Sequence, residues 1–372
     1  MITSSGTRAT VADDAAGAAH ARLDAVLARA ARDRELTGIV ARVERPADGF
    51  AWAGATGEAT TDRPVYIASA TKLYTTAIVL RLAERGILAL DDRLVERVPA
   101  DLVRGLHVRD GVDRTHEITL RHLLAHTSGL PDYFQGSQPG VPSLERRLLA
   151  GDDRGWTLDD VLEIARRQGP RFVPGARRAQ YSDTNFQLLG RVVEEAAGRR
   201  FDEVLRAEVL EPLGTGSTWM VRDPADDRPL PLRYRRDVLP VPHAMASFGP
   251  DGGIAAPVDE LMRFLRGFHE GALFDPAVLP SLAEYRRVFF PVEAGVGYLR
   301  LRLPRLLSPF AAQPELVGHS GLSGAFAFLA PARGVYLAGT VNNIATPSRS
   351  FRLMFALLRA LDAGPGGARP SG

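Results

Sequence analysis

The chain contains no cysteine in its 372 residues. This absence excludes disulfide bonds, a thiol nucleophile and zinc sites built on cysteine. No run of apolar residues approaches the roughly 20 that a membrane-spanning helix requires, and residues 1–17 lack the apolar segment of a secretory signal. We therefore predict a protein without a membrane span that is located in the cytoplasm.

Lysine and asparagine are also scarce. Of the 46 Lys and Arg residues, Lys72 is the single lysine, which leaves 45 arginines, and asparagine occurs only as Asn185, Asn342 and Asn343. Only lysine can lose its proton near neutral pH when its surroundings lower its pKa. A chain that uses arginine for every other cation and keeps one lysine makes Lys72 a candidate functional residue. The alternative is that Lys72 is a solvated helix residue.

Charge is balanced along the chain rather than one-sided. Charged residues make up 24% of the sequence and hydrophobic residues 45%, and the formal net charge is +2. The arginines are interleaved with acidic residues, so we expect no nucleic-acid partner. The length suits one large domain or two intergrown ones, and the sequence does not indicate an oligomeric state.

The apolar pattern predicts strands at both ends of the chain and helices between them. Residues 222–243 are rich in Pro, Arg and Asp and are predicted to form an excursion loop. The predicted helices cover residues 12–34, 69–85, 120–125, 158–167, 185–197, 258–269 and 348–361, and the predicted strands cover residues 39–44, 50–55, 325–330 and 335–341.

This order of elements predicts an α/β (α+β) fold. We expect one antiparallel β-sheet, closed by strands from both termini and flanked by N- and C-terminal helices, with an inserted helical lobe. Residues 12–65 together with 285–362 are assigned to a sheet-and-helix domain, and residues 66–284 to a mostly helical domain. The two ends, residues 1–11 and 363–372, are predicted to be disordered.

Ser69 and Lys72 are the first candidate catalytic residues. They are separated by three positions at the start of a predicted helix, in Ser69-Ala70-Thr71-Lys72. This spacing places both side chains on one side of the helix, and a serine nucleophile needs a base within hydrogen-bond reach. The helix N-terminus also favours developing negative charge. The sequence therefore predicts a nucleophile and base pair.

Tyr181 is a candidate proton relay, because it precedes a predicted helix in Tyr181-Ser182-Asp183. A tyrosine hydroxyl can move a proton when a neighbouring cation lowers its pKa. The structural alternative is a tyrosine at the helix entry with Asp183 as the N-cap, a role that aspartate commonly fills.

Gly318-His319-Ser320-Gly321-Leu322 precedes the last predicted strands. Its small residues let a substrate approach the strand edge, where backbone N–H groups can bind an amide or an oxyanion. A Gly-x-Ser-x-Gly nucleophile motif is excluded, because position 322 is leucine and no histidine follows His319.

We predict no metal and no cofactor. His122 and His126 are four residues apart, but no glutamate lies between them, and the apolar residues around them favour a structural role. Residues 249–253 are glycine-rich but lack the lysine and the strand–helix context of a phosphate-binding loop.

Together these motifs resemble the serine β-lactamase and penicillin-binding-protein superfamily. The order Ser69-Ala70-Thr71-Lys72, Tyr181-Ser182-Asp183, His319-Ser320-Gly321 is the order of its three motifs. The chain is most similar to the branch that holds class C β-lactamases, D-alanyl-D-alanine carboxypeptidases, D-aminopeptidases, esterases and transacylases. The resemblance covers about residues 15 to 362, including residues 123–130 and Gly252-Gly253.

The resemblance implies a β-lactamase/transpeptidase-like fold with the site in the cleft between the two lobes. It implies that Ser69 forms an acyl-enzyme and that Lys72 and Tyr181 share the acid and base roles. It also implies an oxyanion hole formed by the N–H groups of Ser69 and Leu322. Substrate contacts are expected from the residues of the second and third motifs, namely Asp183, His319, Ser320 and Gly321.

Two positions depart from the usual pattern of this superfamily. Asp183 stands where asparagine is common, and a carboxylate there would raise the pKa of Lys72 and favour Tyr181 as the base. Alternatively, Asp183 could bind a cationic or amide-bearing substrate. His319 stands where many β-lactamases have lysine, which makes penicillin hydrolysis a weaker expectation than peptidase or esterase activity.

The function predicted from the sequence is a serine hydrolase or acyltransferase that cleaves an ester or amide of a small molecule through a Ser69 acyl-enzyme. The substrate could be a small-molecule ester, a D-amino-acid amide or a biosynthetic acyl donor. The alternatives are a true β-lactamase or D,D-peptidase, and a catalytically silent relative that binds a ligand. The sequence does not choose between hydrolysis and acyl transfer.

Overall fold

The computed structural model describes residues 6–303 and 313–362 of the chain. The strands in these residues are β1 (Gly38–Arg45), β2 (Phe50–Gly57), β3 (Val65–Tyr66), β4 (Val108–Arg109), β5 (Val112–Asp113), β6 (Trp219–Met220), β7 (Arg233–Tyr234), β8 (Asp237–Val238), β9 (Ile254–Ala256), β10 (Arg286–Phe289), β11 (Val292–Ala294), β12 (Leu299–Leu301), β13 (Leu316–Ser320), β14 (Ala325–Ala330) and β15 (Val335–Thr340). The helices are α1 (Gly6–Ala30), α2 (Thr71–Glu84), α3 (Ala100–Val103), α4 (Leu120–Leu124), α5 (Leu144–Leu149), α6 (Leu158–Gln168), α7 (Asp183–Ala197), α8 (Phe201–Leu205), α9 (Glu211–Leu213), α10 (Pro242–Phe248), α11 (Val258–Glu270) and α12 (Ser348–Asp362).

The main sheet joins strands from the two ends of the chain. Its order among the described residues is β10-β11-β12-β13-β14-β15-β1-β2, and all neighbouring strands are antiparallel. The first strand pairs with the last, with Val40 opposite Thr340. The predicted fold class, an antiparallel sheet closed by both termini and flanked by helices, is confirmed.

Side-chain alternation along β1 explains why both faces of the sheet are covered. Ile39, Ala41 and Val43 belong to one hydrophobic core, which includes Leu23 of α1 and buried leucines of α12. Val40 points to the opposite face and belongs to a second core, formed with α2, α7 and α11. Successive strand residues face opposite sides, so β1 contributes to both cores.

Helix α2 lies at the centre of the second core. Eleven of its 14 residues are buried, and the ring of Tyr74 stacks on Phe264 of α11 with ring centres 3.4 Å apart. Such close packing leaves the helix little freedom to shift. The N-terminal end of α2 therefore has a fixed position relative to the sheet.

Several predicted elements differ from the structure. Helix α1 begins at Gly6, so residues 6–11, which we expected to be disordered, are helical. Strands β10 to β13 were not predicted, and the excursion loop over residues 222–243 contains the short β7–β8 hairpin and the start of α10. Residues 363–372 lie outside the described residues. The division into two domains stays a prediction.

Within residues 6–303 and 313–362, no helix is both long enough and apolar enough to cross a membrane.

Gly190 of α7 allows a loop to pack directly on the helix. A Cβ at this position would lie 2.1 Å from Cγ of Pro250. The same loop is bound to α2, since the hydroxyl of Thr75 donates to the carbonyl of Pro250 at 2.6 Å. The loop over residues 249–251 is thus held between α2 and α7.

We expect Gly190→Ala to destabilise the protein. A proline ring against backbone cannot move aside easily, and overpacking of this kind costs about 1–3 kcal/mol, more than the roughly 1 kcal/mol gained in helix propensity. Urea denaturation measures the change. The control is Gly216→Ala, because no described atom lies within 4 Å of a Cβ at Gly216. Equal stability of Gly190→Ala and the parent protein would contradict this account of the packing.

Candidate active site

Ser69 lies in a 3-10 turn, Ala68–Ala70, that leads directly into α2. The residue before it, Ala68, has a left-handed backbone with φ of +46°. Non-glycine residues in this region cost of order 1–3 kcal/mol and persist where the surrounding structure enforces them. Here the N–H of Ile67 donates to the carbonyl of Ile254 at 3.0 Å, which holds the turn that presents Ser69.

Lys72 is the second residue of α2, and its side chain is 0% exposed. Its Nζ is 3.1 Å from Oγ of Ser69 and 2.6 Å from the backbone carbonyl of Asp251. It is also 2.7 Å from Oδ1 of Asp183. The contacts with Ser69 and Asp251 are hydrogen bonds, and the contact with Asp183 is an ion pair. The predicted pairing of Ser69 with Lys72 is present in the geometry, and the alternative of a solvated lysine is wrong.

Asp183 pairs with Lys72 instead of capping the helix. The N-cap of α7 is Ser182, and Asp183 is the first residue of the helix proper. The alternative in which Asp183 serves as the N-cap is therefore wrong. Its carboxylate instead supplies the negative charge that a fully buried ammonium requires.

The charge state of Lys72 follows from this pairing. Burial by itself lowers the pKa of Lys72, but the negative charge of Asp183, with smaller contributions from Tyr181 and Asp251, outweighs burial and raises the pKa above its ordinary value. Lys72 is thus an ammonium in the resting site, as expected for a lysine with a carboxylate beside it.

Tyr181 packs against the same cation. Its ring stacks on His126 with centres 4.5 Å apart, and Nζ of Lys72 lies 5.3 Å from the ring centre. Burial raises the pKa of Tyr181, whereas the charge of Lys72 and hydrogen bonding with Ser69 and Lys72 lower it, and the net shift is upward. The charge of Lys72 thus acts on the pKa of Tyr181 in the predicted direction, but burial outweighs it in the resting site, and the proton-relay role of Tyr181 stays a prediction.

Gly321 brings the end of β13 against the turn that carries Ser69. A Cβ on Gly321 would lie 2.3 Å from the carbonyl oxygen of Ile67 and 2.9 Å from Cβ of Ala68. Only glycine permits this approach. The following residue, Leu322, lines the same cavity as Ser69, and the oxyanion hole formed by their N–H groups stays a prediction.

His319 is buried on β13 and is neutral. Its Nδ1 is 2.7 Å from the carbonyl oxygen of Ser320, and since a carbonyl only accepts, Nδ1 carries the hydrogen. Burial, with a smaller effect of the Lys72 charge, lowers the pKa of His319 to about 3. His319 therefore offers the site a neutral imidazole and not the positive charge of a lysine.

Two carboxylates that line the cavity beside Ser69 were not predicted from the sequence. Asp132 and Asp251 are both buried and line the same space as Ser69. The backbone carbonyl of Asp251 accepts from Lys72, and its side chain accepts from the hydroxyl of Tyr133 at 2.9 Å. No local pattern in the sequence marks either residue, since both reach the site through the folding of distant loops.

His122 and His126 have separate structural roles. Nδ1 of His122 accepts from the N–H of Thr119 and completes a capping box at the start of α4. Nδ1 of His126 accepts from the N–H of Ser182 at 3.1 Å. These bonds agree with the structural interpretation of the two histidines.

A cavity of about 530 Å³ opens over Ser69. One side of it is apolar and includes residues of the excursion loop and of α10. The predicted site residues that line this cavity are Ser69, Tyr181, Asp183, His319, Ser320, Gly321 and Leu322, with Lys72 directly behind Ser69.

Comparison with known proteins identifies the family of the chain. The sequence model of the family described as Beta-lactamase matches residues 12–361. Esterase EstB of Burkholderia gladioli is 32% identical over 325 residues, which are 77% of this chain and 80% of EstB. Monacolin J acid methylbutanoyltransferase of Aspergillus terreus is 29% identical over 273 residues, which are 64% of this chain and 63% of that protein.

The fold is likewise similar to solved structures. The crystal structure of a D-stereospecific amidohydrolase from Streptomyces sp. matches with a TM-score of 0.74 at 24% identity, covering 93% of this chain and 99% of that one. The chain belongs to the Beta-lactamase family, so the predicted membership of the serine β-lactamase and penicillin-binding-protein superfamily is confirmed. The family and the names of its relatives indicate a hydrolase or an acyltransferase.

The buried carboxyl of Asp132 predicts a pH-dependent stability. Burial and the nearby charge of Asp183 raise the pKa of Asp132 to about 8. A raised acid pKa contributes stability at low pH that is lost as the pH rises through the folded-state value. Asp132→Asn keeps the shape without the charge, so its melting temperature should gain on that of the parent protein from about pH 5 to about pH 9. A constant difference across this range would contradict the assignment.

Proposed function

We propose that this chain cleaves an ester or amide by forming an acyl-enzyme on Ser69, and that water or a second nucleophile then takes up the acyl group. The observation that carries the proposal is the 3.1 Å contact between Nζ of Lys72 and Oγ of Ser69 at the wall of the cavity. A hydroxyl in contact with a proton-transferring group, and open to a substrate, is the arrangement that nucleophilic catalysis requires.

The first step needs a base for the proton of Ser69. Lys72 is an ammonium at rest, so it must first give up a proton. The carboxylate of Asp183, 2.7 Å away, is the nearest acceptor, and the resulting neutral amine can then take the proton of Ser69. The alternative is that Tyr181 loses its proton and acts as the base. The pKa values of Lys72 and Tyr181 are both raised in the resting site, so the route through Lys72 rests on the 3.1 Å contact between its Nζ and Oγ of Ser69.

The remaining steps follow with atoms conserved. Oγ of Ser69 bonds to the carbonyl carbon, and the N–H groups of Ser69 and Leu322 stabilise the oxyanion that forms. The proton held by Lys72 then passes to the leaving oxygen or nitrogen as its bond to carbon breaks. Water or an acceptor alcohol or amine attacks the acyl-enzyme in the same way, and Ser69 is regenerated.

The walls of the cavity favour substrates with a hydrophobic group. The apolar side chains come from the loop after α4, from α5, from the excursion loop and from α10. A group the size of a phenyl or branched alkyl chain would be shielded from water there. The apolar lining residues from these four segments are Phe134, Leu148, Leu149, Leu232, Leu239, Val241, Met245 and Phe248.

Two alternatives are less well supported. A β-lactam or a peptidoglycan stem carries a carboxylate, and the neutral His319 together with the carboxylates in the cavity disfavours an anionic substrate. A silent ligand-binding relative would not need the contacts of Ser69, Lys72 and Asp183 that are present here.

We expect intact-mass spectrometry to detect a covalent acyl group on the protein after mixing with 4-nitrophenyl esters of bulky apolar acids. The added mass should equal that of the acyl group, and Ser69→Ala should abolish it. Lys72→Arg should slow acylation by roughly 10²–10⁴-fold, since arginine keeps the charge but cannot transfer the proton.

Ser137→Ala is the matched control, because Ser137 is exposed and does not line the cavity. It should acylate at the rate of the parent protein. An adduct that persists in Ser69→Ala, or full acylation rates in Lys72→Arg, would refute the proposal. Adding an alcohol or amine acceptor and assaying for its acylated product separates transfer from hydrolysis.

A further inference from the structure

We propose that Asp132 and Asp251 form a receptor for a primary ammonium group of the substrate, so that the enzyme acts on amine-bearing esters or amides. This inference rests on the proposed function of Ser69 and specifies its substrate class. It begins from the charges that surround the cavity.

The charged side chains that line the cavity in the described residues are all acidic. Four carboxylates line it, from Asp132, Glu145, Asp183 and Asp251. In the described part of the chain, none of the lining residues is a lysine or arginine, although the sequence contains 46 such residues. A buried carboxylate normally has a cationic partner. The acidic side chains of this cavity therefore either bind a cation from the substrate or remain without a counter-ion.

Two of the four carboxylates already have partners. Asp183 is paired with Lys72 at 2.7 Å. Glu145 is partly exposed and accepts from the side-chain amide of Gln135 at 3.1 Å. Asp183 thus has a counter-ion in Lys72, and Glu145 has a polar partner and access to solvent.

Asp132 and Asp251 are left without a cation. Oδ1 of Asp132 accepts from the N–H groups of Phe134 and Gln135, while its Oδ2 has no recorded donor among the described residues. Asp251 uses Oδ2 for Tyr133, and its Oδ1 is buried without a hydrogen-bond partner within the described chain. The two residues are 6% and 1% exposed, and both line the cavity.

The other groups around them do not provide the missing charge. Burial lowers the pKa of both His126 and His319 below the neutral range, so neither is cationic. Within residues 6–303 and 313–362, Lys72 is the one cation beside Asp132, Asp183 and Asp251. Burial and repulsion from Asp183 raise the pKa of both Asp132 and Asp251, which is the response of acids that lack a counter-ion.

The receptor lies close to the nucleophile. Nζ of Lys72 contacts both Oγ of Ser69 and the backbone carbonyl of Asp251, and the side chains of Asp132 and Asp251 line the same cavity as Ser69. A substrate whose amine lies a few bonds from the scissile carbonyl can therefore reach Ser69 and the carboxylates together. An ammonium has three donors, which suit the free oxygens of Asp132 and Asp251, and its apolar substituent would face the hydrophobic wall.

The test compares matched substrates with and without the charge. We expect the parent protein to cleave phenylalanine methyl ester, as one or both enantiomers, at least roughly tenfold better in kcat/KM than the N-acetyl ester. Asp132→Asn should reduce this ratio by roughly 10- to 100-fold. Glu145→Gln removes a carboxylate from the same cavity, and it should leave the ratio unchanged.

The amine could belong to the acyl group or to the leaving group. The 2-aminoethyl ester of 3-phenylpropionic acid, compared with its 2-hydroxyethyl ester, tests the leaving-group side, and a preference in either pair supports the receptor. No preference in either pair, or a preference that survives in Asp132→Asn, would overturn the inference.

Two further measurements keep the result interpretable. Labelling of Ser69 by a neutral fluorophosphonate reports on folding and on the proposed function, so labelling without an amine preference refutes the receptor alone. In the parent protein, 2-phenylethylammonium should inhibit labelling at least roughly tenfold more strongly than 2-phenylethanol. Equal inhibition by the two compounds would also count against the receptor.

Discussion

The buried ion pair between Lys72 and Asp183 is the interaction on which the site depends. Its 2.7 Å contact joins α2 to α7, and the same ammonium holds the loop of Asp251 and the hydroxyl of Ser69. Removing one partner of such a pair leaves a buried charge and costs about 3–5 kcal/mol. The pair therefore holds Ser69, the proposed nucleophile, in place. In the proposed mechanism, the proton on Lys72 must move to Asp183 before Lys72 can act as a base.

The charge balance around Lys72 also determines which substrates we expect the cavity to bind. Among the described residues, Lys72 is the one cation beside these buried acids, and the pKa values of Asp132 and Asp251 are raised, as expected for acids without a counter-ion. The neutral His319 adds no positive charge. An anionic ligand is disfavoured in such a cavity, whereas a cationic one relieves the imbalance. The apolar wall supplies binding energy without distinguishing charge. The Beta-lactamase family and the names of the relatives indicate a hydrolase or an acyltransferase, and this charge distribution is the feature from which we infer the substrate.

Local sequence patterns predicted the features that depend on residues close together in the sequence. Ser69 and Lys72 are linked by helical spacing, and the strands around residues 39–55 and 325–340 show in their apolar residues. Strands β10 to β13 were not predicted because glycines and a proline interrupt their apolar pattern. Asp132 and Asp251 could not be predicted, since their charges meet only after folding, and the pKa of Tyr181 is governed by burial, which the sequence does not show.

The single lysine makes the central claim directly measurable. Protein labelled with ¹⁵N-lysine should give one side-chain Nζ signal, that of Lys72. The account predicts an ammonium signal that persists beyond about pH 10, the ordinary range in which lysine loses its proton, because Asp183 holds the charge. Loss of the ammonium signal near neutral pH in the resting protein would contradict it and would make Lys72 a free base.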